Sequence, residues 1–226
     1  MILKTLEKRL IVSCQAPIDS PLHDANIIAA IAQASILQGA AGVRIDTPSH
    51  VKATRQKLPH TPIIGLWKQQ IPGYEVYITP RFQDAIAIAE AGADIIAIDG
   101  TLRDRPEGET VSNLITKIHN ELGKLVMADI DDLESATQAI EAGADIVGTT
   151  LYGYTKQTSE SHPPGWELLR QIVEKLDIPA ICEGGIAAPE MAKKALDLGA
   201  YAVVVGTAIT GIDLKVQSFQ SVFSDN

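Results

Sequence analysis

Apolar residues in this chain gather in short runs. The runs alternate with longer stretches in which alanine, isoleucine and leucine recur at helical spacing. The clearest unit is Glu90-Ala91-Gly92-Ala93-Asp94-Ile95-Ile96, which returns as Glu141-Ala142-Gly143-Ala144-Asp145-Ile146-Val147. Looser copies are Gln38-Gly39-Ala40-Ala41-Gly42-Val43 and Leu198-Gly199-Ala200-Tyr201-Ala202-Val203. Gly39, Gly92, Gly143 and Gly199 stand 53, 51 and 56 residues apart. Each copy is an alanine-rich amphipathic stretch, a glycine stop and an apolar run. This is the pattern of a helix closed by a left-handed cap and followed by a buried strand.

Four more apolar runs lie between those junctions: Leu10–Cys14, Ile63–Trp67, Lys124–Ala128 and Pro179–Cys182. Eight runs in all alternate with helical patterns, one βα unit per ~28 residues. They are apolar on both faces, as parallel strands covered by helices must be. The pattern predicts an α/β chain folded as one (β/α)8 TIM barrel, a single domain over residues 1–226. An open doubly wound sheet is the competing architecture. It would place a G-x-G-x-x-G turn after the first strand, where this chain has Ser13-Cys14-Gln15-Ala16-Pro17.

Composition narrows the class. The 226 residues are 46% hydrophobic and 21% charged, the balance of a globular protein. No apolar run approaches the ~20 residues of a membrane helix, and Met1–Lys8 lacks the apolar segment of a secretory leader. Cys14 and Cys182 are too few for a disulfide framework, so a reducing, cytoplasmic location is expected. A formal charge of −9 argues against nucleic acid as partner but leaves room for a local anion site. His23, His50, His60, His119 and His162 lie outside the apolar runs and show no ligand spacing, so no metal is expected. Neither a nucleotide fingerprint nor a Walker sequence is present, and no cofactor is expected.

A barrel carries its chemistry at the carboxyl ends of its strands. Polar residues close the apolar runs at Gln15, Arg44 and Asp46, Lys68, Asp99 and Thr101, Asp129, Thr149 and Thr150, Glu183, and Thr207. Their placement predicts one polar cavity with Gln15, Arg44, Lys68, Asp129 and Glu183 converging on it. The seventh run leads into Gly184-Gly185 and the eighth into Gly206-Thr207. Loops after strands seven and eight form the recurring phosphate site of this fold, and glycine lets backbone N–H groups approach an anion. Lys68 reads equally as a proton-transfer base with a depressed pKa, as an anion ligand, or as a surface lysine past its strand. Glu183, beside the phosphate loop, is the complementary acid. Tyr152-Gly153-Tyr154-Thr155 reads as a loop over the cavity.

At this point the residues match a known family. Leu10–Ala16, Gly42–Ile45, Ile63–Lys68, Val76–Pro80, Ile96–Thr101 with Arg105-Pro106, and Met127–Ile130 resemble the N-acetylmannosamine-6-phosphate 2-epimerases. So do Gly148–Thr155, Glu183–Ile186 and Val205–Thr210, and the match covers the chain in order from Leu10 to Thr210. The resemblance implies a phosphate-binding barrel that interconverts N-acetylmannosamine 6-phosphate and N-acetylglucosamine 6-phosphate in sialic acid use. It implies Lys68 and Glu183 as catalytic residues, and Gln15, Arg44 and Asp129 at the sugar, which Tyr154 of the loop over the cavity is expected to bind as well. Gly184, Gly185, Gly206 and Thr207 would hold the phosphate, and a homodimer is compatible with it. Two positions depart from the pattern. Gly185 stands where members often carry a basic or larger residue, and Gly211-Ile212 where Arg-Pro is common. Loss of that arginine would remove a charge-assisted donor near the anion, a bond worth ~1.5–3 kcal/mol. The rival readings are a Schiff-base aldolase-type lyase on Lys68, a metal-dependent pentose-phosphate epimerase, and a phosphosugar-binding barrel without catalysis.

Overall fold

A computed structural model describes residues 2–223 of the protein. Its eight strands are β1 (Leu10–Cys14), β2 (Gly42–Asp46), β3 (Ile63–Leu66), β4 (Ile95–Asp99), β5 (Leu125–Asp129), β6 (Ile146–Gly148), β7 (Ala180–Cys182) and β8 (Ala202–Val205). All are parallel and close in order, with β8 pairing β1. The helices are α1 (Ile2–Leu6), α2 (Ala25–Leu37), α3 (Pro48–Lys57), α4 (Phe82–Glu90), α5 (Val111–Lys117), α6 (Leu133–Glu141), α7 (Trp166–Lys175), α8 (Pro189–Asp197), α9 (Thr207–Thr210) and α10 (Ile212–Gln220). Among the described residues no helix is long and apolar enough to cross a membrane.

The repeated junction has a mechanical role. After the glycine that ends α4, Asp94 turns its carboxylate back to accept the Ile63 N–H at 2.9 Å and the Arg55 guanidinium at 2.5 Å. Asp145, one repeat later, accepts the Val126 N–H and faces His119 Nε2, both at 2.8 Å. Each aspartate therefore caps the first exposed donor of the preceding strand and sets the register of the next pair. Without it that N–H would lie at the barrel floor with no partner, at a cost of about 1–3 kcal/mol.

Alternation along the strands sorts side chains into two cores. Val12, Val43, Ile45, Ile63, Ile96, Ile98 and Val126 point outward and pack under the helices. Ile11, Ile64, Leu66, Ile95, Met127, Ile146, Ile181 and Val204 point into the barrel. The floor is closed by Leu6 of α1, only 1% exposed among those inward residues. Cys14 and Cys182 are buried in the outer layer, and burial pushes both thiols up to about 12, so they pack as neutral groups.

Three features were not foreseen. The plugging helix α1 is one. Another is the connection after β3, which folds back so that Lys68 bridges antiparallel to Ile78. Gln69 N donates to Tyr77 O and Thr79 N to Trp67 O, each at 2.9 Å. The third is α10, which buries none of its residues.

Candidate active site

Continuing the inward phase of each strand past its last apolar residue yields the site. Ile11 leads to Ser13 and Gln15, Gly42 to Arg44 and Asp46, Leu66 to Lys68, Met127 to Asp129, Gly148 to Thr150, and Ile181 to Glu183. Most of these line an open cavity of about 940 Å³ at the carboxyl end of the barrel. That is ample for a sugar phosphate.

At its base lies a buried charge cluster. Arg44 is 1% exposed and donates to both oxygens of Asp129, at 3.1 Å from Nη1 and 2.6 Å from Nη2. Nη1 also stands 3.2 Å from Glu183 Oε2. Asp129 was expected at the sugar. The structure places it one layer below, fully buried and absent from the cavity wall, because its two oxygens are taken by the guanidinium. Thr150 Oγ1 lies 2.6 Å from Asp129 Oδ1 and 3.2 Å from Glu183 Oε2.

Lys68 stands across the cavity. Its backbone N–H is held by Asp46 Oδ1 at 2.9 Å, and its ammonium donates to Gln15 Oε1 at 2.5 Å. Gln15 in turn donates to Ser13 Oγ at 3.0 Å. The ammonium is open to the cavity, yet the surrounding walls displace most bulk water. That desolvation lowers its pKa below the ordinary lysine value; Arg44 acts in the same direction and Asp46 opposes it. Glu183 shifts the other way. Burial, opposed by Arg44 and reinforced by Asp129, raises its carboxyl to about 7. An amine and a carboxyl with pKa values displaced toward neutrality thus face one cavity.

The part of the cavity wall after β7 and β8 is largely backbone. Gly184 and Gly185 have φ of +101° and +70°, and a Cβ on Gly185 would meet Pro163 Cβ at 2.7 Å. The loop after β6 fills the space a larger residue would need. Gly211 is closed in the same way: a Cβ there would meet Thr207 Cγ2 at 2.7 Å and Thr207 Cα at 2.8 Å. The turn from α9 into α10 leaves no room for an arginine on this backbone. A cation reaches the cavity from one turn further along, where Lys215 of α10 joins Gly206 and Thr207 in the lining.

Tyr154 also lines the cavity and is 57% exposed. Asp99, named with the strand-end residues, does not line it. Its carboxylate is occupied by Arg103 Nη2 at 2.7 Å and Thr101 Oγ1 at 2.6 Å. Tyr77 and Lys215 line the wall without having been singled out. Tyr77 is brought there by the fold-back at Lys68, and Lys215 by a helix beyond the last strand. Among the described residues no group of three or more His, Cys, Asp or Glu side chains is placed to hold a metal ion.

Comparison with known proteins agrees with this geometry. Residues 28–224 match the NanE family model, described as "Putative N-acetylmannosamine-6-phosphate epimerase". A protein of that description from Thermosynechococcus vestitus is 63% identical over 217 residues, which are 96% of this chain and 94% of the relative. The solved N-acetylmannosamine-6-phosphate 2-epimerase of Clostridium perfringens superposes with a TM-score of 0.94 at 40% identity, over 98% of this chain and 96% of that one. The 3-hexulose-6-phosphate synthase of Salmonella typhimurium, at 21% identity and a TM-score of 0.63, shares the fold alone. By family model, sequence and structure, the chain belongs to the NanE family of N-acetylmannosamine-6-phosphate epimerases.

Proposed function

We infer that this chain interconverts N-acetylmannosamine 6-phosphate and N-acetylglucosamine 6-phosphate by moving the proton at C2. The observation that carries the reading is the facing pair in a family-matched barrel. Lys68 has a depressed pKa, Glu183 titrates near 7, and a glycine-built anion cradle lies beside them.

The C2 hydrogen is acidic only beside a free carbonyl, so the sugar reacts in its open-chain form. Neutral Lys68 takes the C2 proton; the C–H pair becomes the enolate, with charge on O1. Arg44 and Gln15, both in the cavity lining, are the candidate donors for that oxygen, and preorganised donors of this kind are the largest single contribution in many enzymes. Asp129 holds Arg44 in place. Glu183 delivers a proton to the other face of C2, and in the reverse direction the two residues exchange roles. Gly184, Gly185, Gly206 and Thr207 hold the phosphate by backbone N–H groups, Lys215 supplies a counter-charge, and Tyr154 covers the sugar. No metal or organic cofactor takes part. The reading includes a cytoplasmic location and a homodimer. Val216, Phe219, Val222 and Phe223, exposed along the last helical segment, support self-association.

The test is direct. Purified protein with N-acetylmannosamine 6-phosphate, followed by NMR in deuterium oxide, is expected to yield the 2-epimer with deuterium at C2. Binding without turnover would leave a phosphosugar-binding protein, and a covalent adduct on borohydride treatment would make Lys68 a Schiff-base lysine.

A further inference from the structure

We propose that Thr150 is a positioning residue of this reaction: its one hydroxyl hydrogen is shared between Asp129 and Glu183 and follows the charge on Glu183. The proposal rests on the epimerase reading above. A threonine hydroxyl has a single hydrogen and two lone pairs. Its oxygen lies 2.6 Å from Asp129 Oδ1 and 3.2 Å from Glu183 Oε2, within reach of both. Asp129 also accepts from both terminal nitrogens of Arg44, at 3.1 and 2.6 Å, so it keeps partners whichever way the hydroxyl points. Glu183 changes. When ionised, it competes for the hydroxyl hydrogen. When protonated, it gives its own hydrogen to a Thr150 lone pair while Thr150 donates to Asp129. One rotation of one O–H bond therefore serves both forms of the acid without a buried polar atom losing its partner.

The local structure holds Thr150 to this task. Thr149 and Thr150 follow β6 in a short 3₁₀ turn, Thr149–Leu151. Thr149 Oγ1 accepts the Glu183 N–H at 3.1 Å and donates to Glu183 O at 2.9 Å. The pair thus grips Glu183 at both ends, Thr149 by its backbone and Thr150 by its carboxyl. The charged groups around that carboxyl are Arg44 from β2, Asp129 from β5 and Lys68 beyond β3. Arg44 and Lys68 favour the ionised form and Asp129 disfavours it. Thr150 is the neutral member whose donation stabilises the carboxylate, so removing it raises the pKa of Glu183.

Thr150→Val keeps the shape and removes the hydroxyl; Thr150→Ser restores it. The acid limb of the kcat profile is expected to rise by about one unit in Thr150→Val, the scale of one hydrogen bond to a charged group. In the direction of reaction in which Glu183 is the base, activity then falls roughly fivefold at pH 7 and recovers above pH 9, while KM is unchanged. Thr150→Ser returns the limb to its original place. A uniform loss at every pH, or a higher KM with an unmoved limb, would overturn the proposal. Carbon-13 NMR titration of the Glu183 carboxyl without substrate reads the same shift independently of turnover. If that titration is unmoved in Thr150→Val, or in Thr150→Ala should the valine variant not fold, the proposal fails whatever the activity. If it moves while the wild-type protein does not epimerise, the hydroxyl contact stands and the epimerase reading falls.

Discussion

Arg44 lies clasped against Asp129 with both terminal nitrogens at 3.1 and 2.6 Å, and neither side chain is more than 1% exposed. A guanidinium so deep in a barrel is stable only while its carboxylate partner stays. Asp129→Asn leaves the charge with Glu183 alone, and removing one partner of a buried pair costs about 3–5 kcal/mol. Urea unfolding should show that loss. Because Asp129 pushes the Glu183 carboxyl up, the same variant lowers its titration. An unchanged unfolding midpoint would mean that the pair does not hold the base of the site.

Lys68 separates chemistry from binding. Lys68→Met keeps most of the stem and cannot carry a proton. Loss of general base catalysis costs about 10²–10⁴-fold, so turnover and deuterium entry at C2 should both vanish while the sugar phosphate still binds. Exchange at the wild-type rate in this variant would move the base to Glu183.

The pH dependence follows from the two shifts. In either direction of reaction the pair holds one proton in total, on Glu183 or on Lys68. Below about 7 both are protonated and neither can accept. Above the depressed pKa of Lys68 both are bare and neither can donate. The kcat/KM profile should rise through about 7 and fall below the ordinary lysine range, and Glu183→Gln, whose amide can neither give nor take the proton, should abolish epimerisation at every pH. A plateau reaching to pH 5 would contradict the assignment.

Lys215 tests the anion end. Its ammonium is solvent-exposed, so its contribution is screened and modest, at most about 1 kcal/mol. Lys215→Met should raise KM for the phosphorylated sugar roughly two- to fivefold with kcat little changed, and the difference should shrink at high salt. A fall in kcat with constant KM would place Lys215 in the chemistry instead.

The barrel and its polar rim were legible because a strand has period two. Once Ile11, Leu66, Met127 and Ile181 are inward, Gln15, Lys68, Asp129 and Glu183 follow by counting. Depth was not legible. Asp129 and Lys68 end equivalent runs, yet one is sealed under a guanidinium and the other opens to the cavity, a difference made by partners on other strands. Asp99 reads like Asp129 and is drawn aside by Arg103, four residues on in its own loop. Tyr77 and Lys215 arrive through a fold-back and a terminal helix, neither of which carries strand periodicity. The absence of a side chain at position 211 is explained by contact with Thr207, a relation that no linear spacing displays.

Leu6, wedged into the floor, makes the barrel a blind well. Sugar and solvent then share the opening whose lining includes Tyr154 and Lys215. A seated substrate then rests on the Arg44–Asp129 pair, with the apolar barrel interior and Leu6 below that. A proton lifted from C2 joins the other hydrogens of the Lys68 ammonium, which come from solvent. The isotope content of unreacted substrate recovered from deuterium oxide therefore works as a counter. It counts the visits in which the proton was lifted and handed back before the epimer formed.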